Sequence, residues 1–373
     1  MKEKSVGILG AGQLASFIAQ RLQARESHII VYAQTESDPG IEYSHQVIVG
    51  HKSDKERLLR FFELCDVVIL ESEFFQVELL RELQEKTQTK IYPELSAFEQ
   101  LATKKKQKEF FIQADIPFAS TIEIKSNELP QETQFPLMLK KSYGSYDGLG
   151  NLIVKDLDEF QKQINNFSSH FSEEILAEEL LDIDYEFACM LVKSEEKTEV
   201  LYPVDTIQQD SICHIVRAPS MMSEADLIKL KQYMNRIAET LTGSGIFAFE
   251  FFKTKDGRIL VNEAAPRVHN SYHFSIEGLT ESQFELMVRV ALGEEIPKSE
   301  LKYMSCSMIN IIGQRNTENY HLEIPHIDLA IEMKTHLYGK KESRVGRKLG
   351  HVTIWGEEDT LQIAKHISKE YKI

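Results

Sequence analysis

The sequence predicts a protein of mixed α/β and α+β class with a Rossmann-like domain at its N-terminus. Its 373 residues are too many for one ordinary hydrophobic core and indicate two or three domains. In the first hundred residues, strand and helix patterns alternate at the spacing typical of a parallel doubly wound sheet. From Glu186 onward strand patterns dominate instead, which indicates a further domain of different architecture.

The N-terminal third contains five short apolar runs, and segments with helical periodicity separate them. The predicted strands cover residues 6–9, 28–32, 47–49, 66–70 and 90–92, and the predicted helices cover residues 13–24 and 55–64. Pro93 begins a boundary, because a very basic helix with four lysines follows it at residues 104–108.

Beyond this boundary the pattern changes to a small α+β unit between residues 135 and 184. Strands are predicted at 137–140, 151–154 and 174–178, and helices at 157–167, 223–242, 282–292 and from residue 359 onward. We therefore expect three parts. They are a Rossmann-like domain at 1–97, a linker helix with a small domain at 98–182, and a C-terminal domain at 183–373.

Composition narrows the classes of partner and compartment. A net charge of −15 and a pI near 5.4 disfavour nucleic acid or an anionic membrane as a general partner. No apolar run approaches the roughly 18 residues of a membrane span. The four cysteines lie far apart without a CxxC pair, which argues against disulfides and structural zinc. The charged N-terminus is not typical of a signal peptide, so we expect a cytoplasmic protein.

Two glutamates, Glu250 and Glu263, each end an apolar, strand-like run. An Asp-Gly turn at residues 256–257 separates the runs and predicts a hairpin that brings both carboxylates onto neighbouring strands. Paired carboxylates beside Asn262 suit Mg²⁺, which prefers oxygen ligands and usually keeps phosphate oxygens in its shell. Arg267 and a nearby histidine would hold an anion next to this metal. The alternative is one buried acid paired with Arg267 and one solvated acid.

A GxGxxA turn at residues 10–15 follows the first predicted strand and opens a helix. Such a turn allows close backbone approach, and the helix N-terminus attracts phosphate. A dinucleotide site would also need an acid at the end of the second strand, where Tyr32, Ala33 and Gln34 stand instead, and this disfavours NAD. Two interpretations stay open: a phosphate or nucleotide-like ligand, and a turn that merely packs the helix on the sheet.

Between two predicted strands, Lys140 precedes a loop with three glycines at positions 144, 148 and 150. This pattern is typical either of a mobile flap over phosphates, with the lysine as a point charge on them, or of a plain glycine-rich hairpin. The strand-to-loop segment at residues 178–181 follows, and then Glu186. A strand edge there would read an adenine ring and Glu186 would bind ribose, although acids in such a place are usually only solvated.

A basic loop lies near the C-terminus, with five cations in the ten residues 340–349. It predicts a pocket for a substrate phosphate or carboxylate, or else a solvated loop. The histidines of the C-terminal half, His269, His273, His336 and His351, have no HExxH-like spacing, which argues against zinc.

Taken in order, these motifs resemble those of the 5-(carboxyamino)imidazole ribonucleotide synthases, which are ATP-grasp enzymes of purine biosynthesis. The resemblance covers nearly the whole chain, and its most specific motifs are NEAAPRVHNS at residues 262–271 and LYGKKESRVGRKLGH at 337–351. It implies a three-part ATP-grasp architecture with a Rossmann-like, pre-ATP-grasp N-terminal domain. The family's reaction would phosphorylate bicarbonate with ATP and transfer CO₂ to the amine of aminoimidazole ribonucleotide. The resemblance also implies a homodimer.

By position, the resemblance assigns the family's functional roles to residues of this chain. On the ATP side the matching residues are Lys105 and Lys140 at the phosphates, Glu178, Glu179 and Leu181 along adenine, Glu186 at ribose, and Glu250 and Glu263 as Mg²⁺ ligands. On the other side they are the catalytic Arg267, His269 and Asn270 around bicarbonate and carboxyphosphate, and Gly12, Gln13, Glu73, Tyr146, Asp147, Lys340 and Arg347 around the imidazole nucleotide.

Several positions depart from the family's usual motifs, mostly on the nucleotide-substrate side. Ser16 stands where the family has Arg, Phe74 where it has Asn, Leu149 where it has Lys, and Tyr272 where it has Gly. Two other functions therefore stay open: an ATP-grasp ligase for a different carboxylate and amine, and an ATP-binding homologue without turnover.

Overall fold

The structure, a computed structural model, describes residues 4–124, 128–142, 150–168, 175–325 and 331–373. Its N-terminal part is a parallel sheet of five strands: β1 (Ser5–Leu9), β2 (His28–Ala33), β3 (Gln46–Val49), β4 (Val67–Leu70) and β5 (Lys90–Tyr92). Four helices accompany it: α1 (Gln13–Gln23), α2 (Lys55–Glu63), α3 (Val77–Thr87) and α4 (Leu95–Leu101). The spatial order β3-β2-β1-β4-β5 confirms the predicted Rossmann-like sheet.

Helices α3 and α4 are additional to the predicted ones. In α3 the buried side chains of Val77, Leu80 and Leu83 recur at the spacing of one helix face. This helix is therefore visible in the sequence as an amphipathic segment.

The middle of the chain forms an antiparallel sheet of four strands. Its elements are α5 (Lys104–Gln113), β6 (Thr121–Ile124), β7 (Leu137–Lys141), β8 (Asn151–Val154), α6 (Leu157–Ser168) and β9 (Ile175–Glu179), with the strand order β6-β9-β7-β8. Leu139, Phe160 and Ala177 centre the core of this small domain. Helix α5 packs elsewhere, because Phe110 and Phe111 belong to a core cluster of the third domain.

The third part contains a nine-stranded sheet in which every described pair of neighbours is antiparallel. Its elements are β10 (Ile183–Lys193), β11 (Thr198–Val200), β12 (Val204–Gln209), β13 (Ile212–Ala218), α7 (Glu224–Thr240), β14 (Gly245–Thr254), β15 (Ile259–Ala265), α8 (Ser275–Gly278), α9 (Gln283–Leu292), β16 (Ser305–Ile312), β17 (Thr317–Glu318), β18 (Glu332–Leu337), β19 (Glu342–Ser343), β20 (Lys348–Gly356) and α10 (Leu361–Glu370). Strands β17 and β19 form a separate two-stranded ribbon. Within the described ranges, the structure contains no helix that is long and apolar enough to span a membrane.

The first and third parts pack directly against each other. Phe17 of α1 lies 4.9 Å, between ring centroids, from Phe284 of α9, and both rings are buried in one core cluster. Arg25 reinforces this contact with ion pairs to Glu285 and Glu294. The Rossmann-like sheet is thereby held against the large sheet, and the loops at its carboxyl edge face the segments that follow β15.

Candidate active site

The two glutamates of the predicted metal site lie side by side. Glu250 on β14 is the register partner of Glu263 on β15, and a β-bulge follows directly after Glu250. Opposed residues of an antiparallel pair present their side chains on the same face of the sheet. The side chains of Glu250 and Glu263 are 27% and 38% exposed, so both carboxylates are partly open to solvent. The hairpin predicted from the Asp-Gly turn is therefore confirmed.

The two carboxyl groups have opposite protonation preferences. Desolvation, together with the facing charge of Glu263, raises the pKa of Glu250 to about 8. Desolvation also opposes the ionisation of Glu263, but the ammonium of Lys104 pairs with this carboxylate and lowers its pKa to about 2. At neutral pH one carboxyl therefore holds a proton while its neighbour is ionised. A divalent cation would displace that proton, because carboxylates bind metals in their ionised form.

The side chain of Gln107 fixes helix α5 against strand β15. Its side-chain amide donates to the carbonyl of Ala264 at 2.9 Å and accepts from the N–H of the same residue at 2.9 Å. This clamp places Lys104 on the glutamate pair. Lys105, the residue matched by the resemblance, instead lies 3.1 Å from Glu123 of β6. Sequence reasoning missed Lys104 and Gln107, since the basic helix was evident but its rotation about its axis was not.

A buried charge cluster adjoins the glutamate pair. The ammonium groups of Lys108 and Lys140 each lie 2.7 Å from the carboxylate of Glu178, and all three side chains are less than a tenth exposed. Lys140 also donates to Asn262 Oδ1 at 2.9 Å, which links the small domain to β15. Two lysines against one glutamate leave an excess positive charge in a desolvated place. Such a cluster favours an added anion such as phosphate.

Arg267 bridges the segment after β15 to the N-terminal domain. Its guanidinium forms two parallel hydrogen bonds to the carboxylate of Glu73, with Nη2 at 2.8 Å from Oε1. Despite desolvation, the adjacent carboxylate raises the pKa of Arg267, so this cation persists. The alternative in which Arg267 neutralises one of the two metal-site glutamates is therefore wrong.

His269 and Asn270 are held in place by polar side chains of the third domain. Gln283 accepts from the backbone N–H of His269 at 2.7 Å and donates to its carbonyl at 2.9 Å. Asn270 exchanges two hydrogen bonds with Asn310, at 2.9 and 2.8 Å. Burial and the nearby guanidinium lower the pKa of His269 to about 4, so its ring is neutral where it lies 3.6 Å from Glu250. The positioning roles of Gln283 and Asn310 had no local signal in the sequence.

The glycine-rich turn between β1 and α1 is filled by a carboxylate of the protein itself. A Cβ on either Gly10 or Gly12 would collide with the carboxylate of Glu71, and Gly10 has a φ of +114°. The N–H of Ala15, at the start of α1, donates to Glu71. The helix N-terminus is therefore already occupied by a carboxyl group of the protein itself. These contacts favour the packing interpretation of this turn over a phosphate site.

A cavity of about 330 Å³ opens beside this turn at the carboxyl edge of the parallel sheet. Gly12 and Phe74 line it, together with Glu71, whose pKa is raised by burial to about 7. The other two residues that the resemblance assigns to the N-terminal side of the substrate pocket are not among the residues that line this cavity. Gln13 is the first residue of α1, and Glu73 holds Arg267.

The basic C-terminal loop reaches the same region from the other side. The ammonium of Lys340 donates to the carbonyl of Lys348 at 2.6 Å, and Arg347 donates to the carbonyl of Glu342 at 3.1 Å. The charge of Lys348 lowers the pKa of Glu250, so this residue lies near the metal-site pair. Sequence reasoning did not single it out. A Cβ on Gly339 would meet Pro39 at 3.5 Å, so the loop abuts the N-terminal domain.

The residues matched to adenine and ribose lie along the junction of β9 and β10. Glu179 accepts from the backbone of Ser120 at 3.0 Å and pairs with an arginine of the β14–β15 turn at 3.1 Å, so its side chain joins two domains. Leu181 is half-buried between the two strands, and burial raises the pKa of Glu186 on β10 to about 6. Tyr146 and Asp147 lie outside the described residues.

Comparison with protein families assigns a segment of the chain to each of the three parts. Residues 2–101 match the ribonucleotide synthetase preATP-grasp domain, residues 109–284 the ATP-grasp domain, and residues 306–365 the phosphoribosylaminoimidazole carboxylase C-terminal domain. The three-part architecture implied by the motifs is therefore confirmed.

Individual relatives agree with this assignment. The chain is 31% identical to N5-carboxyaminoimidazole ribonucleotide synthase of Synechocystis sp., over 95% of its own length and 92% of that protein. It is 32% identical to phosphoribosylaminoimidazole carboxylase of Ogataea methanolica over 96% of its own length, but it spans only 68% of that longer protein. A crystal structure of N5-carboxyaminoimidazole synthase from Aspergillus clavatus, in complex with ADP and 5-aminoimidazole ribonucleotide, superposes with a TM-score of 0.84. In that pair 26% of residues are identical, with 98% and 96% of the two chains covered.

Proposed function

The chain belongs to the N5-carboxyaminoimidazole ribonucleotide synthase family, and from this membership we propose that it carboxylates the amine of 5-aminoimidazole ribonucleotide. It is an ATP-dependent ligase that forms a C–N bond. Bicarbonate would be the source of the carboxyl group, and ATP would be cleaved to ADP and phosphate. The product would be 5-(carboxyamino)imidazole ribonucleotide, an intermediate of purine biosynthesis.

One observation carries this proposal: a paired-carboxylate site and a fixed guanidinium lie close enough for the charge of Glu263 to raise the pKa of Arg267. Glu250 and Glu263 face each other across β14 and β15, while Arg267 follows on the same segment. His269 is a neutral ring 3.6 Å from Glu250, and after burial the charge of Arg267 contributes to its lowered pKa. This arrangement suits a small anion that must be held against the phosphates of a nucleotide, because cations and donors stand where charge would develop.

Mg²⁺ fits the donors that are present. Glu250 and Glu263 provide carboxylate oxygens beside the amide oxygen of Asn262, and Mg²⁺ takes such hard ligands together with phosphate oxygens. When bound, the ion would offset the charge of the phosphates and align them. Lys104 is paired with Glu263, and its ammonium would be free to contact a phosphate if a metal ion were bound by that carboxylate.

On the ATP side, we assign the phosphates to Lys140 and Lys105. The excess positive charge of the Lys108–Glu178–Lys140 cluster supports this role. The strand edge from residue 178 to residue 181 would contact adenine, and Glu186 would contact ribose.

On the other side, Arg267 would hold bicarbonate and the carboxyphosphate formed from it, with His269 and Asn270 as neutral hydrogen-bonding groups. Lys340 and Arg347 would bind the phosphate of the imidazole nucleotide. The position of their loop between the third domain and Pro39 supports this assignment. Gly12, Gln13 and Glu73 would complete the pocket from the N-terminal domain, and Tyr146 and Asp147 would approach the imidazole.

The decisive experiment is ADP formation in four mixtures, with bicarbonate and aminoimidazole ribonucleotide each present or absent. The proposal expects fast ADP release only when both are present, accompanied by consumption of the nucleotide. An equal rate of ADP release when either bicarbonate or aminoimidazole ribonucleotide is left out would refute the proposal.

A pair of variants in one loop tests the phosphate assignment. Arg347→Ala should raise the KM for aminoimidazole ribonucleotide well above tenfold while the KM for ATP changes little, because a charge-assisted contact to phosphate is lost. Arg344→Ala is the matched control, since this side chain is 68% exposed and pairs with Glu342. If the two variants had the same KM for aminoimidazole ribonucleotide, the assignment of Arg347 to the phosphate pocket would be wrong.

One observation favours a second candidate, a ligase for a different amine. Phe74 lines the 330 Å³ cavity at a position where the family motif has Asn. An aromatic ring in place of an amide changes which hydrogen bonds the pocket offers. ADP release with bicarbonate and another amine, but not with aminoimidazole ribonucleotide, would support this candidate.

The proposal also includes a homodimer in the cytoplasm and domain bounds near residues 97 and 182. These parts rest on the family resemblance and the sequence pattern. Light scattering on the purified protein measures the oligomeric state.

A further inference from the structure

A compact cluster of imidazole and carboxylate groups lies apart from the glutamate pair. Glu277 of α8, His336 of β18 and His351 of β20 place one potential ligand atom each within 4.8 Å of the other two. His336 and His351 are register partners on adjacent strands, with ring centroids 4.7 Å apart. The cluster thus joins two strands and a helix that are distant in sequence.

The side chains of the cluster are shielded from water. His351 has no exposed surface, and the side chains of Glu277 and His336 are 9% and 14% exposed. Phe17 of the N-terminal domain covers the two imidazoles with ring centroids at 5.7 and 6.0 Å. Since His336 lies on the edge strand β18, this side offers a route by which an ion would enter.

Polar atoms of the cluster are left without partners. Within the described ranges, neither Nε2 of His351 nor Oε2 of Glu277 makes a hydrogen bond. Buried polar atoms normally have a partner, so two such atoms in one cluster require an explanation. Nε2 of the fully buried His273 is likewise unpartnered among these residues, and its ring lies 5.3 Å from that of His351.

The existing hydrogen bonds orient the cluster for ligation. Nδ1 of His351 lies 3.0 Å from the hydroxyl of Tyr338, which leaves Nε2 with its lone pair if Nδ1 carries the hydrogen. Ligating histidines usually have such a partner on the second nitrogen. Nε2 of His336 lies 2.8 Å from Oε1 of Glu277, so an ion between them would replace one hydrogen bond with two metal–ligand bonds.

We propose that Glu277, His336 and His351 bind a divalent transition-metal ion, with Zn²⁺ as the best match. Two imidazoles and one carboxylate are a ligand set that zinc accepts, with a water as the fourth ligand. Mg²⁺ does not suit this set because it prefers oxygen ligands. The ammonium of the largely exposed Lys334 lies 3.8 Å from Oε1 of Glu277, and it can swing into solvent.

The bound ion would have a structural role. It would tie the edge strand β18 to β20 and to α8, beneath the helix that carries Phe17. The lack of HExxH-like spacing does not bear on this site, because its ligands come from three elements and His336 and Glu277 are 59 residues apart in the chain.

The test measures metal binding directly, on the full chain stripped with a chelator and dialysed. Co²⁺ is titrated while its visible d–d absorption is followed, and Zn²⁺ is then added as a competitor, with metal content per chain measured after dialysis. We expect one tightly held ion per chain. Glu277→Gln and His336→Gln should each weaken binding by more than about tenfold, since each removes a ligand.

Two controls and the choice of ligand variant make the result decisive. His366→Gln changes an exposed histidine on α10 and should bind as the wild type does. Glu250→Gln changes the active-site pair and should also retain the ion. His336→Gln keeps the test valid if changes at more buried positions unfold the protein, since this side chain lies nearer the surface. Failure of the wild type to retain an ion, or retention by both ligand variants, would overturn the proposal. So would loss of the ion from Glu250→Gln alone.

Discussion

The unequal protonation of the glutamate pair predicts a measurable release of protons when the metal binds. The pKa of Glu250 is raised to about 8, whereas that of Glu263 is lowered to about 2. A carboxyl with a pKa near 8 is ionised in only about one molecule in ten at pH 7. If Mg²⁺ requires both carboxylates, binding at pH 7 must expel about 0.9 proton per ion from Glu250.

The corresponding affinity depends on pH in a defined direction. Between pH 7 and pH 8 the ionised fraction of Glu250 rises from about one tenth to about one half, so the apparent affinity for the metal–nucleotide complex should increase about fivefold. Above pH 8 the gain levels off. The effect on the stability of the metal-free protein has the opposite sign. The folded state holds a proton that the unfolded chain loses above its model value of 4.5, so the free energy of unfolding falls between pH 4.5 and about 8.

Calorimetry of Mg·ADP binding at pH 7, in two buffers of different ionisation enthalpy, gives the number of protons released. Protons from the nucleotide itself cancel when variants are compared. Glu250→Gln should release about 0.9 fewer protons than the wild type, whereas Asp256→Asn, on the exposed turn of the same hairpin, should match the wild type. A wild-type value no larger than that of Glu250→Gln would refute the assignment of the raised pKa to this carboxyl.

Two further predictions concern buried contacts. Glu178→Gln should lower the free energy of unfolding by about 3–5 kcal/mol because it leaves two buried ammonium groups without their counter-charge. Lys108→Met should cost far less, since burial lowers the pKa of Lys108 and Lys140 still pairs with the glutamate. Equal losses in the free energy of unfolding for these two variants, measured by urea denaturation, would contradict this prediction. Gly12→Ala should cost about 1–3 kcal/mol because its Cβ would lie 2.5 Å from Oε1 of Glu71, and Glu71→Ser should relieve most of that cost. A cost independent of residue 71 would show that the collision is not the cause.

Local chemistry was enough to predict the main elements and the hairpin that carries Glu250 and Glu263. The Asp-Gly turn and the apolar runs on either side of it require Glu250 and Glu263 to meet, because residues that flank a short turn pair across it. The parallel sheet was predictable for a similar reason, since alternating strands and helices can bury their apolar faces in few ways.

The contacts that those residues make with distant side chains could not be predicted from local sequence patterns. Lys104 rather than Lys105 meets Glu263 because Gln107 sets the rotation of α5 against β15, and no pattern in the helix itself records that contact. Glu71 filling the glycine-rich turn depends on how two loops of the parallel sheet converge. Each of these pairings joins residues that are far apart in the chain.

The amino-acid order was therefore sufficient for the family, the main strands and helices, and the two opposed glutamates, because all of these follow from neighbours in the chain or from short turns. The packing of whole domains decided which cation neutralises which carboxylate. It also brought together Glu277, His336 and His351. Contacts across tens or hundreds of residues depend on the orientation of rigid elements, and hydrophobic periodicity specifies which face is buried without specifying the side chain that faces it.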